Sequence, residues 1–132
     1  MARYYDIDAA NARLTELRPL LDALRTDRDA IADAQRGLRR LRATNGSAEH
    51  AAEVRRVEAS IVAAVKRMEQ AVAQIEAWSV TLRDIGTGLI DFPALASGRP
   101  IWLCWRLGED DIAWWHEASE GFASRRPLLE LT

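Results

Sequence analysis

Cys104 and His116 are the side chains of this sequence best suited to metal binding or nucleophilic chemistry, and one short segment, residues 99–117, holds them both. A thiolate and an imidazole ligate zinc-type ions, and Glu109, Asp110 and Glu117 add carboxylates nearby. The same pair could act as nucleophile and base, the imidazole taking the thiol proton. Neither chemistry is complete on sequence. Metal centres built from Cys and His repeat those residues in closely spaced pairs, whereas this chain has a single cysteine and no such pair. No oxyanion-hole motif accompanies the thiol. The expectation is therefore a buried structural thiol at Cys104 and a histidine held by a backbone carbonyl at His116. No catalytic residue, metal or cofactor is expected, and Cys104 and His116 are the only metal candidates.

Ligand binding is the other chemistry this region could support. Arg106, Glu109 and Arg125, with Asp91, could line a small pocket for an anion, because guanidinium forks match carboxylate and phosphate. Equally, Arg106 with Asp111 and Arg125 with a carboxylate could be ion pairs that fix the region in place. Four of the five tryptophans lie in residues 99–117, and tryptophan offers a large flat face with one polar handle. Trp102 and Trp115 are the candidates for an exposed aromatic binding patch, with Trp105 and Trp114 as core. His116 completes the set of candidate ligand-binding residues.

These assignments depend on strand register. Residues 101–106 and 111–116 read as two strands rich in aromatic and β-branched residues. With Gly108-Glu109 as a tight turn, Arg106 faces Asp111, Cys104 faces Ala113, Trp102 faces Trp115 and Ile101 faces His116. Cys104 and His116 then point to opposite faces, and a one-residue slip would reverse that. Upstream, residues 88–93 suggest a short strand ended by Pro93, and Ser97-Gly98 a turn.

The elements that must carry this segment are helical. Asp6 or Asp8 can cap a first helix, in which Leu14, Leu17, Leu21, Leu24, Ile31 and Leu38 recur at three-four spacing. Pro19 predicts a kink there, or a second helix beginning at that residue. Residues 43–47 read as a loop. A second helix restarts near Ser47 or Ala48 and runs to about Ile85, with a seven-residue seam from Val54 through Trp78 and Leu82 to Ile85, and Gly86 as C-cap. The two helices must run antiparallel. Arg36, Arg39, Arg40 and Arg42 would be neutralised by Glu49 and Glu53 across the hairpin, and His50 would be exposed. Leu20, Leu41, Val62, Val65 and Val72 stay outside the seam, which predicts a homodimer forming a four-helix bundle.

Residues 88–93 (Gly-Leu-Ile-Asp-Phe-Pro), 103–109 (Leu-Cys-Trp-Arg-Leu-Gly-Glu), 115–117 (Trp-His-Glu) and 121–128 (Gly-Phe-Ala-Ser-Arg-Arg-Pro-Leu) resemble the small prokaryotic proteins grouped as domain of unknown function family 2203. Residues 5–14 and 17–21 resemble that family's opening helix. The resemblance implies a cytoplasmic bacterial protein and carries no activity, ligand or catalytic residue with it.

Bulk composition excludes more than it assigns. With 18 basic and 20 acidic residues and a net charge of −2, the chain has no excess charge to draw nucleic acid or an anionic membrane. Seventeen of the basic residues are arginine, a bias that matches GC-rich bacterial coding. The lone cysteine suits a reducing cytoplasm, residues 1–8 lack a secretory-signal pattern, and no apolar run approaches a bilayer span. The expected fold is a single domain over residues 1–132, mainly α with a small β part. A long antiparallel helical hairpin (about 6–86) is capped by a small antiparallel hairpin or sheet (87–132). The expected function is a non-enzymatic dimeric structural or protein-interaction module. The alternative is a small-molecule or metal-binding protein, possibly an enzyme, with its site at the C-terminal sheet.

Overall fold

A computed structural model of the chain describes residues 3–44 and 46–131, so Asn45 of the expected 43–47 loop, together with Met1, Ala2 and Thr132, lies outside them. Helix α1 spans Ile7–Arg42. Its N-cap is Asp6, whose carboxylate accepts from the Ala9 N–H at 2.7 Å, and Arg39, Arg40 and Arg42 occupy the last turn. The helix runs through Pro19 without a break, so Pro19 does not start a second helix. Leu14, Leu17, Leu21 and Leu24 form its buried stripe.

Helix α2 spans Ala48–Ala77 and is capped by Ser47, whose hydroxyl accepts from the His50 N–H. Ala64, Ala71 and Ile75 are its fully buried residues. The helices pack as an antiparallel hairpin tied by Arg67 to Asp27 (2.9 Å) and Arg42 to Glu58 (3.2 Å). The expected pairing with Glu49 and Glu53 is corrected: Glu53 binds Arg56 on its own helix, and Arg36 binds Asp33 on α1. His50 is half-buried rather than exposed.

The second helix ends eight residues before the expected Ile85. Ser79 takes a left-handed φ of 61°, its N–H returns to Glu76 O (2.9 Å), and the Val80 N–H returns to Ile75 O (3.2 Å). This is a Schellman closure made with serine where glycine is usual, sealed by the buried pair Ile75 and Val80. Leu82 therefore lies in a strand and Ile85 in the turn after it, and Gly86 caps nothing.

The remaining chain forms a five-stranded antiparallel meander in sequential order: β1 Thr81–Asp84, β2 Leu89–Ala96, β3 Arg99–Arg106, β4 Trp114–Glu117 and β5 Arg126–Pro127. The fold is thus α+β and mainly helical, with a larger sheet than the expected two or three strands. β2 continues past Pro93, because that residue needs no donor there. β1 pairs only as far as Asp91, and Pro93 O points to the open side, where it accepts from the Tyr5 N–H at 2.7 Å. Ser97 (φ 52°) and Gly98 (φ 80°) make the two-residue turn from β2 to β3.

The β3–β4 connection overturns the expected register. No tight turn forms at Gly108-Glu109; residues 107–113 make a wide loop drawn towards α1. Asn11 Oδ1 accepts from the Ile112 N–H (2.7 Å), Trp105 Nε1 donates to Asp110 O (2.7 Å), and Ile112 is buried in the core. Cys104 now faces Trp114, Leu103 faces Trp115 and Trp102 faces His116. Relative to the expected register, every side chain of β4 has changed face.

One face of the sheet packs on the helices. Ile90, Phe92, Ala94, Ile101, Leu103, Trp105 and Trp115 meet the α1 leucines and Ile75 in one core. Tyr5 closes the end of this core. Its hydroxyl donates to Trp78 O at 2.5 Å, and its ring meets Phe92 edge-on at 5.0 Å. No helix among the described residues is long and apolar enough to cross a membrane.

Candidate functional site

The opposite face of the sheet carries Asp91 on β2, Cys104 on β3 and His116 on β4. Register creates this grouping: Asp91 sits directly across from Cys104, and His116 lies across from Trp102, two residues along β3. Asp91 is 3% exposed, Cys104 1% and His116 1%. One carboxylate oxygen, the sulfur and one imidazole nitrogen lie within 4.8 Å of one another. The expectation that Cys104 and His116 point to opposite faces is therefore corrected, for the register reason given above.

The hydrogen bonds around the cluster define its electrostatics. Arg83 Nε donates to Asp91 Oδ2 at 2.9 Å, and His116 Nε2 lies 3.1 Å from the same oxygen. Asp91 Oδ1 is buried with no hydrogen-bond partner among the described residues. His116 Nδ1 is 2.9 Å from Glu117 O, an acceptor only, so Nδ1 carries a proton. The neutral imidazole then presents a lone pair from Nε2 to a carboxylate oxygen. Two lone pairs at 3.1 Å need a proton or a cation between them. Burial first, and the Asp91 charge second, push the Cys104 thiol up to about 12. The thiol is protonated at neutral pH, and His116 Nε2 is aimed at Asp91, so no activated nucleophile exists here.

Beside the cluster a cavity of about 300 Å³ is bordered by Asp91, Arg83 and Leu89 and closed by residues 118–122. The tail that closes it is held by a stacked clamp. The Arg125 guanidinium lies between the rings of Trp114 (4.5 Å) and Phe122 (4.6 Å), and it pairs with Glu109. Glu109 also accepts from the Arg106 N–H at 2.9 Å, and the Arg106 guanidinium covers Phe122 from 5.0 Å. Arg106, Glu109 and Arg125 therefore come together, but chiefly to bind each other and the tail. The expected Arg106–Asp111 pair does not form.

The tryptophans divide differently from expectation. Trp105 is core; Trp115 is also core, buried against the helices, with its Nε1 donating to Pro127 O at 3.2 Å. Trp114 is on the outer face under Arg125, and Trp102, half-buried, lies under Arg83 at 4.9 Å. Trp102 and Trp115 do not share a patch. The sequence places Asp91 with Arg106, Glu109 and Arg125 around an anion pocket, and does not pick out its buried role beside Cys104 and His116. A charged residue inside the apolar run Leu89-Ile90-Asp91-Phe92 is the signal that could have found it, because a carboxylate is buried there only with partners.

The family described as "Uncharacterized conserved protein (DUF2203)" matches residues 3–128, and the chain belongs to that family. No curated protein and no solved structure matches the chain.

Proposed function

We propose that this member of the family is a non-enzymatic, homodimeric interaction module whose helical hairpins pair into a four-helix bundle. One observation carries the reading. On α2, Arg55, Glu58, Val62, Val65, Glu69, Val72 and Glu76 recur at three-four spacing, a second heptad stripe beside the intramolecular seam, which Glu58 and Val72 border. Val62 is 66% exposed and Val65 39%, so the middle of that stripe is apolar and uncovered. Its ends carry opposite charge. A second copy of α2 packed antiparallel about a two-fold axis near Val65 sets Arg55 against Glu76 of the second copy, twice, brings the two Val65 side chains together at the axis and covers Val62 with the aliphatic stem of Glu69. The protonated Cys104 thiol and the mutually paired Arg125 and Glu109 support a non-enzymatic role. A single buried cysteine supports a reducing, cytoplasmic setting.

Sedimentation equilibrium at micromolar concentration tests this. The wild-type chain sediments as a dimer, and Val62→Glu/Val65→Glu as a monomer with the same helical circular dichroism. Arg55→Glu weakens the dimer by about three- to tenfold, and adding Glu76→Arg restores it. A wild-type monomer throughout that range overturns the reading.

The buried Asp91–Cys104–His116 cluster beside its cavity supports a second reading, a metal- or small-molecule-binding protein with its site on the outer face of the sheet. In that reading, ligand binding measured by calorimetry is lost in His116→Ala and in Arg125→Ala. Binding unchanged in both variants removes it.

A further inference from the structure

We propose that Asp91, Cys104 and His116 bind a divalent transition-metal ion of the zinc class, through Asp91 Oδ1, Cys104 Sγ and His116 Nε2. The proposal deepens the second reading above and does not depend on dimerisation. Four observations support it. The three donors are an oxygen, a sulfur and a nitrogen, the set that selects borderline ions over magnesium or calcium. One carboxylate oxygen of Asp91, the Cys104 sulfur and one imidazole nitrogen of His116 lie within 4.8 Å of one another. Donors around tetrahedral zinc sit about 3.3–3.8 Å apart, a gap that small side-chain rotations close.

Each donor is also already oriented. His116 Nδ1–H donates to Glu117 O at 2.9 Å, which fixes the ring with Nε2 turned towards the cluster. Arg83 Nε holds Asp91 Oδ2 at 2.9 Å, while Oδ1 is buried without a hydrogen-bond partner among the described residues. A cation satisfies that oxygen and removes the lone-pair conflict between Nε2 and Oδ2. A carboxylate and a thiolate offset the 2+ ion, while the Arg83 guanidinium on Asp91 is 42% exposed, so solvent screens its added charge. On binding, the Sγ–H bond breaks, a metal–sulfur bond forms and the proton passes to solvent. A proton held between Nε2 and Oδ2 leaves by the same route. Three protein donors leave a fourth position for water, and the cavity bordered by Asp91 and Ser119 lies beside the cluster.

Cobalt(II) and zinc(II) titrations of metal-stripped full-length protein decide the matter. The expected result is one equivalent of cobalt bound, with a thiolate-to-cobalt charge-transfer band and visible bands of tetrahedral intensity, displaced by zinc. Saturating zinc raises the unfolding temperature of the wild-type protein. Cys104→Ala removes the charge-transfer band, and Asp91→Asn weakens binding at least ~10-fold. Circular dichroism checks that each variant folds; Cys104→Ser, which keeps the side-chain volume, replaces any alanine variant that does not. Folded wild-type protein with neither cobalt bands nor a zinc-dependent shift overturns the metal site. So does a folded Cys104 variant that binds with wild-type affinity. Loss of the metal site with other ligands still bound would leave the second reading standing without its metal.

Discussion

Asp91 occupies a position that an apolar side chain would fill at less cost, and its neighbours show how the charge is held. Arg83 supplies a cation, His116 a ring nitrogen and Cys104 a thiol, all from separate strands. A less buried aspartate, Asp84, shows the same logic in simpler form. Its Oδ2 accepts from the Thr87 hydroxyl (2.7 Å) and N–H (2.9 Å) in the β1–β2 turn, and these hydrogen bonds hold its carboxyl below the usual 3.8. A depressed folded-state value contributes stability that is present above the unfolded value and lost as pH falls through the folded one. Asp84→Asn is therefore less stable than wild type at pH 7, and the gap closes as pH falls below the unfolded value and through the lower folded one. Urea titrations of both proteins across that window check it. Asp84 is on the surface and its turn is local, so the effect is small.

At the scale of elements, residues contribute through where a helix or strand is made to stop. Ser79 ends α2 by adopting a backbone that glycine adopts more readily, and tertiary packing of Ile75 and Val80 covers the difference. The heptad pattern that continues through Leu82 and Ile85 carries no mark of this end, because apolar residues at those positions serve a strand as well as a helix. Pro19 is the opposite case: a strong local breaker overridden by the buried leucines on either side of it. It leaves the Thr15 carbonyl without its helical donor. Pro19→Ala on this exposed position supplies that donor and raises stability by about 1–2 kcal/mol, less than the full proline cost because proline also restrains the unfolded chain. Chemical denaturation measures the gain, and a loss of stability would show that the ring itself is packed. In the sheet, the decisive element is the 107–113 loop, where Asn11 and Trp105 draw the chain towards α1 and reset β4 by one residue. That step alone moves His116 beside Asp91 and Trp115 into the core.

For the whole molecule, the core is concentrated where the sheet meets the hairpin. Among the described residues of 25–70, only Leu38 and Ala64 are buried. The distal hairpin is consequently the part that gains most from a second copy. Under the proposed dimer, the unfolding temperature of wild-type protein rises with protein concentration, whereas that of Val62→Glu/Val65→Glu does not; calorimetry over a hundredfold concentration range separates the two. Helical period, a cap at Asp6 or Asp8, the restart near Ser47 or Ala48, the strand-rich C-terminal part and the family were all legible in the sequence, because they depend on local spacing and on residue type. The site was not. Cys104 and His116 stood out by type, but the three residues come from three strands, and their meeting depends on a register that no short-range signal specifies. A hydrogen bond from Ile112 to a helix a hundred residues earlier decided that register, and only the assembled tertiary structure contains it.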